Sequence, residues 1–280
     1  MVIQIQPKFA CQTYSWQMSF DKYQGAVDHM AATVAAAGFS GFEAETIMLN
    51  DDWTAPELLR ILQENRLRLS ALCLVDRWLS PEESVEEIAH ADRVIRAVKQ
   101  FPGAVVNLVQ YPGSDRANLR TRQSNALSCM RDIARRAADE GVGCSFHPNS
   151  PQGSVFRTEM DYDLLMNELD SMIGYTPDSG HIAAGGMDPL AVIRMYRDRV
   201  KYVHIKDRHV SDGWAETGKG DVDIPGIVDY LVESGYPGWV TFEDESALAE
   251  STPDAAVMGA GKYVADVLMN RSRGAEEVAR

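Results

Sequence analysis

The sequence predicts one α/β domain over residues 1–280, a single closed (β/α)₈ barrel. Three observations lead there. Eight runs that read as buried strands alternate with eight that read as helices, and such alternation implies parallel β-α-β units. No Pro/Gly/Ser-rich linker and no low-complexity segment interrupts the series. The turn after the first strand, Tyr14-Ser15-Trp16-Gln17-Met18, lacks glycine, so the Gly-x-Gly-x-x-Gly turn of an open dinucleotide-binding sheet is missing.

Residues 9–14 form the first predicted strand. A helix over 21–37 follows, with Val27, Met30, Ala31 and Val34 on one stripe and Gly38 as its C-terminal cap. The second strand is 41–45; the helix over 56–65 takes Thr54 as N-cap and Pro56 in its first turn. Strand three is 67–75, and Ser80-Pro81-Glu82-Glu83 predicts a capping box that opens the third helix. Strand four, 104–109, leads to a long helix over 116–140; strand five is 142–146, followed by a helix over 161–169. Strand six is 173–177, and Asp188-Pro189 starts a helix to 198. Strand seven is 200–205, and a charged loop, 208–223, leads to a helix over 224–233. Strand eight is 239–243, the last helix 255–270, and the tail from Arg271 is expected to fray.

The hydrophobic fraction of 45% and charged fraction of 24% are those of a soluble globular chain. A net charge of −14 argues against nucleic acid and anionic membranes as partners, because phosphates are bound by clustered Lys and Arg. Cys11, Cys73, Cys129 and Cys144 form no C-x-x-C pair, and three fall in strand-like runs; reduced thiols in a cytoplasmic protein are expected. Residues 1–10 carry no signal-peptide core, and no apolar run approaches the roughly 18 residues of a membrane span.

Chemistry-bearing side chains collect at the C-terminal strand ends, the face on which such barrels build active sites. Asp178 follows strand six, His204 lies on strand seven and Glu243 on strand eight, a set that suits one divalent cation. Pro177-Asp178-Ser179-Gly180 also reads as a β-turn, with His181 on the loop leaving strand six. Lys206 shares a side with His204 by period-2 alternation, or is already solvated beyond the strand. Glu43/Glu45 and Glu243/Glu245 are inward carboxylate pairs, unless the second of each belongs to the loop. His147 ends strand five and could bind metal or take a proton. Tyr14, Trp16, Arg77, Trp78, Gln110, Arg157 and Trp214 lie near these ends and could touch a polyhydroxylated substrate or pack the rim.

Several motifs in one order carry a resemblance. They are Gly38-Phe39-Ser40-Gly41-Phe42-Glu43, Asp178-Ser179-Gly180-His181 with Gly185 and Asp188-Pro189, Val203-His204-Ile205-Lys206-Asp207, Gly218-Lys219-Gly220-Asp221-Val222-Asp223, and Gly235-Tyr236-Pro237-Gly238 before Phe242-Glu243. Together they resemble the xylose isomerase-like TIM barrels, the sugar phosphate isomerase/epimerase group that also includes inosose dehydratase. The resemblance implies one divalent ion, manganese first and cobalt or magnesium as alternatives. It is held by an acidic residue on strand five, Asp on six, His on seven and Glu on eight. Asp178, His204 and Glu243 match; His147 stands where the glutamate is usual, as in some members resembling inosose dehydratase.

The implied activity is a metal-dependent isomerase or epimerase on a sugar or polyol, with proton abstraction next to a carbonyl and a metal-stabilised enediolate. His147 and Glu243 are the candidate bases, and Lys206, Glu43 and His181 orient substrate oxygens. Glu45, Tyr14 and Trp16 complete the expected substrate contacts. The alternative is a lyase by β-elimination, on a keto-inositol or 3-keto-glycoside, with a homo-oligomer or small partner subunit left open. A non-catalytic carbohydrate-binding relative is a third reading. A metal-dependent endonuclease, a chemistry also found on this barrel, is disfavoured by the acidic charge and single-metal set.

Overall fold

The computed structural model describes residues 7–211 and 213–269; residues 1–6, Asp212, and Asn270 with the tail from Arg271 lie outside the described residues. Seven parallel strands come first: β1 Lys8–Gln12, β2 Gly41–Glu45, β3 Arg68–Asp76, β4 Val105–Gln110, β5 Gly143–Phe146, β6 Ile173–Tyr175 and β7 Val203–Ile205. A short antiparallel hairpin follows, β8 Asp207–Arg208 with β9 Trp214–Ala215, and β10 Trp239–Phe242 is the eighth barrel strand. The sheet runs β6-β5-β4-β3-β2-β1-β10-β7. Parallel bridges Tyr175↔Val200 and Asp178↔His204 join its two edges, closing the predicted barrel.

The helices are α1 Tyr14–Gln17, α2 Phe20–Tyr23, α3 Val27–Ala36, α4 Ala55–Glu64, α5 Val85–Val98, α6 Leu119–Asp139, α7 Glu159–Glu168, α8 Ser179–Ala184, α9 Pro189–Met195, α10 Ile224–Glu233, α11 Ala247–Ser251 and α12 Pro253–Tyr263. Most bury one stripe: Val27, Met30, Ala31 and Val34 of α3 face the core, as the periodicity predicts. No described helix is long and apolar enough to cross a membrane. All four cysteines are buried free thiols.

Several boundaries differ from the sequence reading for local reasons. The first strand stops at Gln12, and Tyr14 and Trp16 belong to a helical turn. The helix predicted over 21–37 is two helices, because Gly25 takes φ +75°, a left-handed conformation that costs glycine little. The capping box exists, but on Ser84 and Glu87 rather than Ser80 and Glu83, so α5 starts at Val85. Residues 200–202 precede β7, and 208–223 is a hairpin followed by a loop rather than loop throughout. The segment predicted as one last helix begins with α12 and ends in a π-helical turn, Val264–Met269. Asp178 is not in a simple turn: its Oδ1 accepts the His181 N–H at 2.7 Å and caps α8.

The barrel interior is layered. Ala10, Ala71, Tyr202 and Trp239 plug its base. Above them lies a polar layer. A bulge pairs Phe42 with Leu69 but Glu43 with Ala71, leaving Ser70 as the extra residue of β3. Ser70 Oγ sits 2.7 Å from the Tyr202 hydroxyl, which accepts from Thr241 Oγ1 at 2.6 Å and lies 2.9 Å from Glu43 Oε2. Thr176 Oγ1 donates to Asn107 Oδ1 at 3.0 Å, so the amide turns its Nδ2 to Glu43 Oε1 at 2.9 Å. Every buried polar group in this layer therefore has a partner, as a water-excluded interior requires.

Candidate active site

At the C-terminal ends of these strands a cavity of about 520 Å³ opens. Its floor is built upward from the polar layer. His204 on β7 and Glu43 on β2 have no exposed surface, and His204 Nε2 lies 2.7 Å from Glu43 Oε2. Glu43 accepts from Nε2, which therefore carries a proton; burial opposes a second proton, but Glu43 and Glu243 outweigh it and push the imidazole up to about 10, so an ion bound at Nδ1 would displace a proton from it. That Nδ1 is buried and has no hydrogen-bond partner. It faces Glu243 Oε2 at 3.7 Å and Asp178 Oδ2 at 3.9 Å, while His147 Nε2 stands 3.4 Å from the same Asp178 oxygen.

These separations fit an ion with ligands at about 2.1 Å, whose tetrahedrally placed donors stand roughly 3.4 Å apart. Two imidazoles and two carboxylates suit a divalent ion of intermediate hardness. The four atoms offered by His147, Asp178, His181 and Glu243 also fall within 4.8 Å of one another. Both ring nitrogens of His181 are occupied, however: Nδ1 lies 2.7 Å from Ser150 Oγ and Nε2 lies 3.1 Å from Lys206 Nζ. His204, with its orphaned nitrogen, is the better fourth donor.

Lys206 is the other centre of the site. It is 1% exposed, ion-paired to Glu243 Oε1 at 2.5 Å, hydrogen-bonded to Glu245, and 3.8 Å from Asp178 Oδ2. Burial opposes its charge, but Glu243, Glu245 and Asp178 outweigh that and hold the ammonium well above its usual pKa. Burial, then the Lys206 charge, pushes His181 down to about 3, so its ring is neutral. Burial, then Glu243 and Glu43, pushes Glu45 up to about 8. Tyr14 and Trp214 flank the ammonium, with ring centres 5.4 and 4.9 Å from Nζ.

Of the residues predicted for the site, Tyr14, Glu45, His147, His181, Lys206 and Glu243 line the cavity; Asp178 and His204 lie in its floor. Two expected substrate contacts are corrected. Trp16 is wholly buried and donates to Asp254 Oδ1 at 2.7 Å, because the chain turns into α1 before reaching the cavity. Glu43 is sealed in the layer below, with Asn107, Tyr202 and His204 around its carboxylate. Trp214 reaches the cavity, while Trp78 is buried in the core and Arg157 braces the rim through Ser150 and Ala184 carbonyls. The sequence reading missed Asn107, Tyr202 and Ser150. The first two had a signal, a polar group inside an apolar strand-like run; Ser150 had none.

The Gly218–Asp223 motif is a scaffold. Asp207 accepts N–H bonds from Gly218 and Gly220 at 2.9 Å and from Arg208 at 2.8 Å. A Cβ on Gly220 would lie 2.2 Å from Asp207 Oδ1, so only glycine allows the approach.

Comparison with known proteins agrees with the barrel fold. The family model described as xylose isomerase-like TIM barrel matches residues 31–261. An inosose dehydratase of Lacticaseibacillus casei is 30% identical over 159 residues, covering 50% of this chain and 53% of that protein. The chain thus spans about half the length of the curated relatives it matches first. Among solved structures, L-ribulose 3-epimerase superposes with a TM-score of 0.75 at 17% identity, over 98% of this chain and 99% of that one. The IOLI protein with a binding zinc atom superposes at 0.71 and 17% identity, over 94% and 98%. These two share the fold.

Proposed function

The chain belongs to the xylose isomerase-like TIM-barrel family, and on that premise we propose that it is a divalent-metal-dependent dehydratase of a polyhydroxylated ketone. The substrate class is a keto-inositol or a related cyclic keto-polyol. The observation that carries this reading is the hydrogen bond between Lys206 and Glu245 at the cavity floor. A base and an acid already in contact can complete a proton cycle within one turnover.

His147, Asp178, His204 and Glu243 would hold the ion, manganese being the first to try and cobalt or magnesium next. The ion would polarise the substrate carbonyl. Glu245 is placed to take the proton from the carbon next to that carbonyl. The electron pair left by that proton then forms the conjugated double bond as the carbon–oxygen bond at the β carbon breaks, its own pair leaving with the hydroxide. The departing hydroxide takes a proton from Lys206 and leaves as water. Glu245 returns its proton to Lys206 across their hydrogen bond. Tyr14 and Trp214 offer flat apolar faces to the ring C–H groups of the substrate.

Support comes from the inosose dehydratase relatives and from His147. Its nearness to Asp178 Oδ2 supports a place in the donor set over the role of second base. A second reading, isomerase or epimerase, is supported by Glu45. That carboxyl lines the cavity in its raised-pKa state and could return a proton to a neighbouring carbon. The test is incubation of the manganese-loaded protein with a keto-inositol, and separately with ketohexoses, in D₂O. A product lighter by one water supports dehydration. Deuterium uptake without mass loss supports epimerisation. A substrate left unchanged in both series overturns the enzymatic reading.

A further inference from the structure

We propose that Ser150 is a positioning residue that sets the tautomer of His181 and thereby aims the Lys206 ammonium. The inference rests on the proposed role of Lys206 as proton donor. Ser150 lies in the loop after β5, is buried, and places Oγ 2.7 Å from His181 Nδ1. The other ring nitrogen, Nε2, is 3.1 Å from Lys206 Nζ. An ammonium has three donors and no acceptor, so Nε2 must turn its lone pair to Lys206. The ring proton therefore stays on Nδ1, and Ser150 Oγ accepts it.

Lys206 Nζ then has two hydrogen-bond acceptors, Glu245 Oε1 and His181 Nε2, and a third partner in the ion pair with Glu243 Oε1. The neutral imidazole is the weakest of the three, so the proton it holds is the one most readily given to a substrate oxygen. Without Ser150 Oγ, the buried Nδ1–H would lack an acceptor, and the ring proton would be drawn to Nε2. That N–H would face the ammonium, donor against donor, and Lys206 would lose its third direction.

The surroundings hold Ser150 for this task. Its carbonyl accepts from Arg157 Nε at 2.8 Å, and the same guanidinium reaches the Ala184 carbonyl at 3.2 Å, the end of the helix that carries His181. The His181 ring is wedged edge-on between His147 and Trp214, with centroids 5.3 and 5.4 Å away.

The test uses the full chain labelled with ¹⁵N-histidine and loaded with magnesium, with His181 signals assigned by loss in His181→Gln. Long-range ¹H–¹⁵N spectra should place the proton on Nδ1 in the wild type and in Ser150→Thr, and move it toward Nε2 in Ser150→Ala. On a substrate that the wild type turns over, Ser150→Ala should lower kcat about tenfold with KM within about twofold, less than the 10²–10⁴ lost with a proton donor itself. Ser150→Thr should restore it. A proton on Nε2 in the wild type overturns the proposal, as does a Ser150→Ala spectrum unchanged from it. If no keto-polyol is turned over, the donor role of Lys206 fails, while the spectra still decide the Ser150–His181 relation. Should Ser150→Ala not fold, Ser150→Cys, a weaker acceptor, is read in the same way.

Discussion

Glu43 Oε2 lies 2.7 Å from His204 Nε2, with neither side chain exposed, so a carboxylate below the cavity decides which imidazole nitrogen is turned toward Asp178 and Glu243. Such outer partners tune metal sites nearly as strongly as the ligands. Glu43→Gln keeps the shape but can present an amide N–H to the ring. Affinity for manganese, measured by titration calorimetry, should fall about 10–100-fold. An unchanged affinity would mean that His204 does not bind the ion.

Lys206→Met should separate the two cationic roles at the floor. Turnover should fall about 10²–10⁴-fold if Lys206 is the proton donor. The metal-free protein should lose about 3–5 kcal/mol in urea unfolding, the cost of leaving buried carboxylates without their partner. Metal affinity should rise, because a competing positive charge beside Glu243 and Asp178 has gone. An affinity equal to the wild type's would show that the ammonium and the ion do not share those carboxylates.

His147→Ala, compared with wild type by elemental analysis after purification in manganese, should lose the ion. His147 Nε2 faces Asp178 Oδ2 at 3.4 Å, the spacing of two donors on one centre. A variant that keeps one equivalent of ion would place His147 outside the donor set and return it to the role of base.

Asp207→Ala should disorder the loop it organises without touching the floor. Three backbone N–H groups converge on that carboxylate within 2.9 Å. Hydrogen exchange at Gly218 and Gly220 should accelerate, while metal binding stays within about twofold because sites without shared partners behave independently. Slow exchange at both amides would refute this account of the glycine motif.

The barrel was legible because strand and helix periods alternate without interruption, and because Asp178, His204 and Glu243 stand at successive strand ends. Less legible was what happens one residue past a strand. Trp16 and Tyr14 are two positions apart, yet one packs against Asp254 and the other lines the cavity, since the chain has by then become helical. Asp178 was legible as a metal-capable residue but not as a helix cap, because the chemistry of a turn and of a helix cap is the same up to the third residue. Glu43 read as a cavity group because alternation reports which side of a strand a residue is on, not its height along the barrel axis. Ser150 depends on a loop folding back onto α8, a long-range event with no local pattern.

Asp178 uses its two carboxylate oxygens differently: Oδ1 caps α8 through the His181 N–H, and Oδ2 faces the ion-sized gap. Its side-chain torsion is thus fixed before any ion arrives, which removes an ordering cost from binding. It also means that Asp178 can offer one oxygen but not both. Calcium, which takes six to eight oxygens and favours bidentate carboxylates, is poorly served by such a ligand. In the proposed donor set the helix cap would therefore weigh against a large cation, by leaving it one oxygen of Asp178 instead of two.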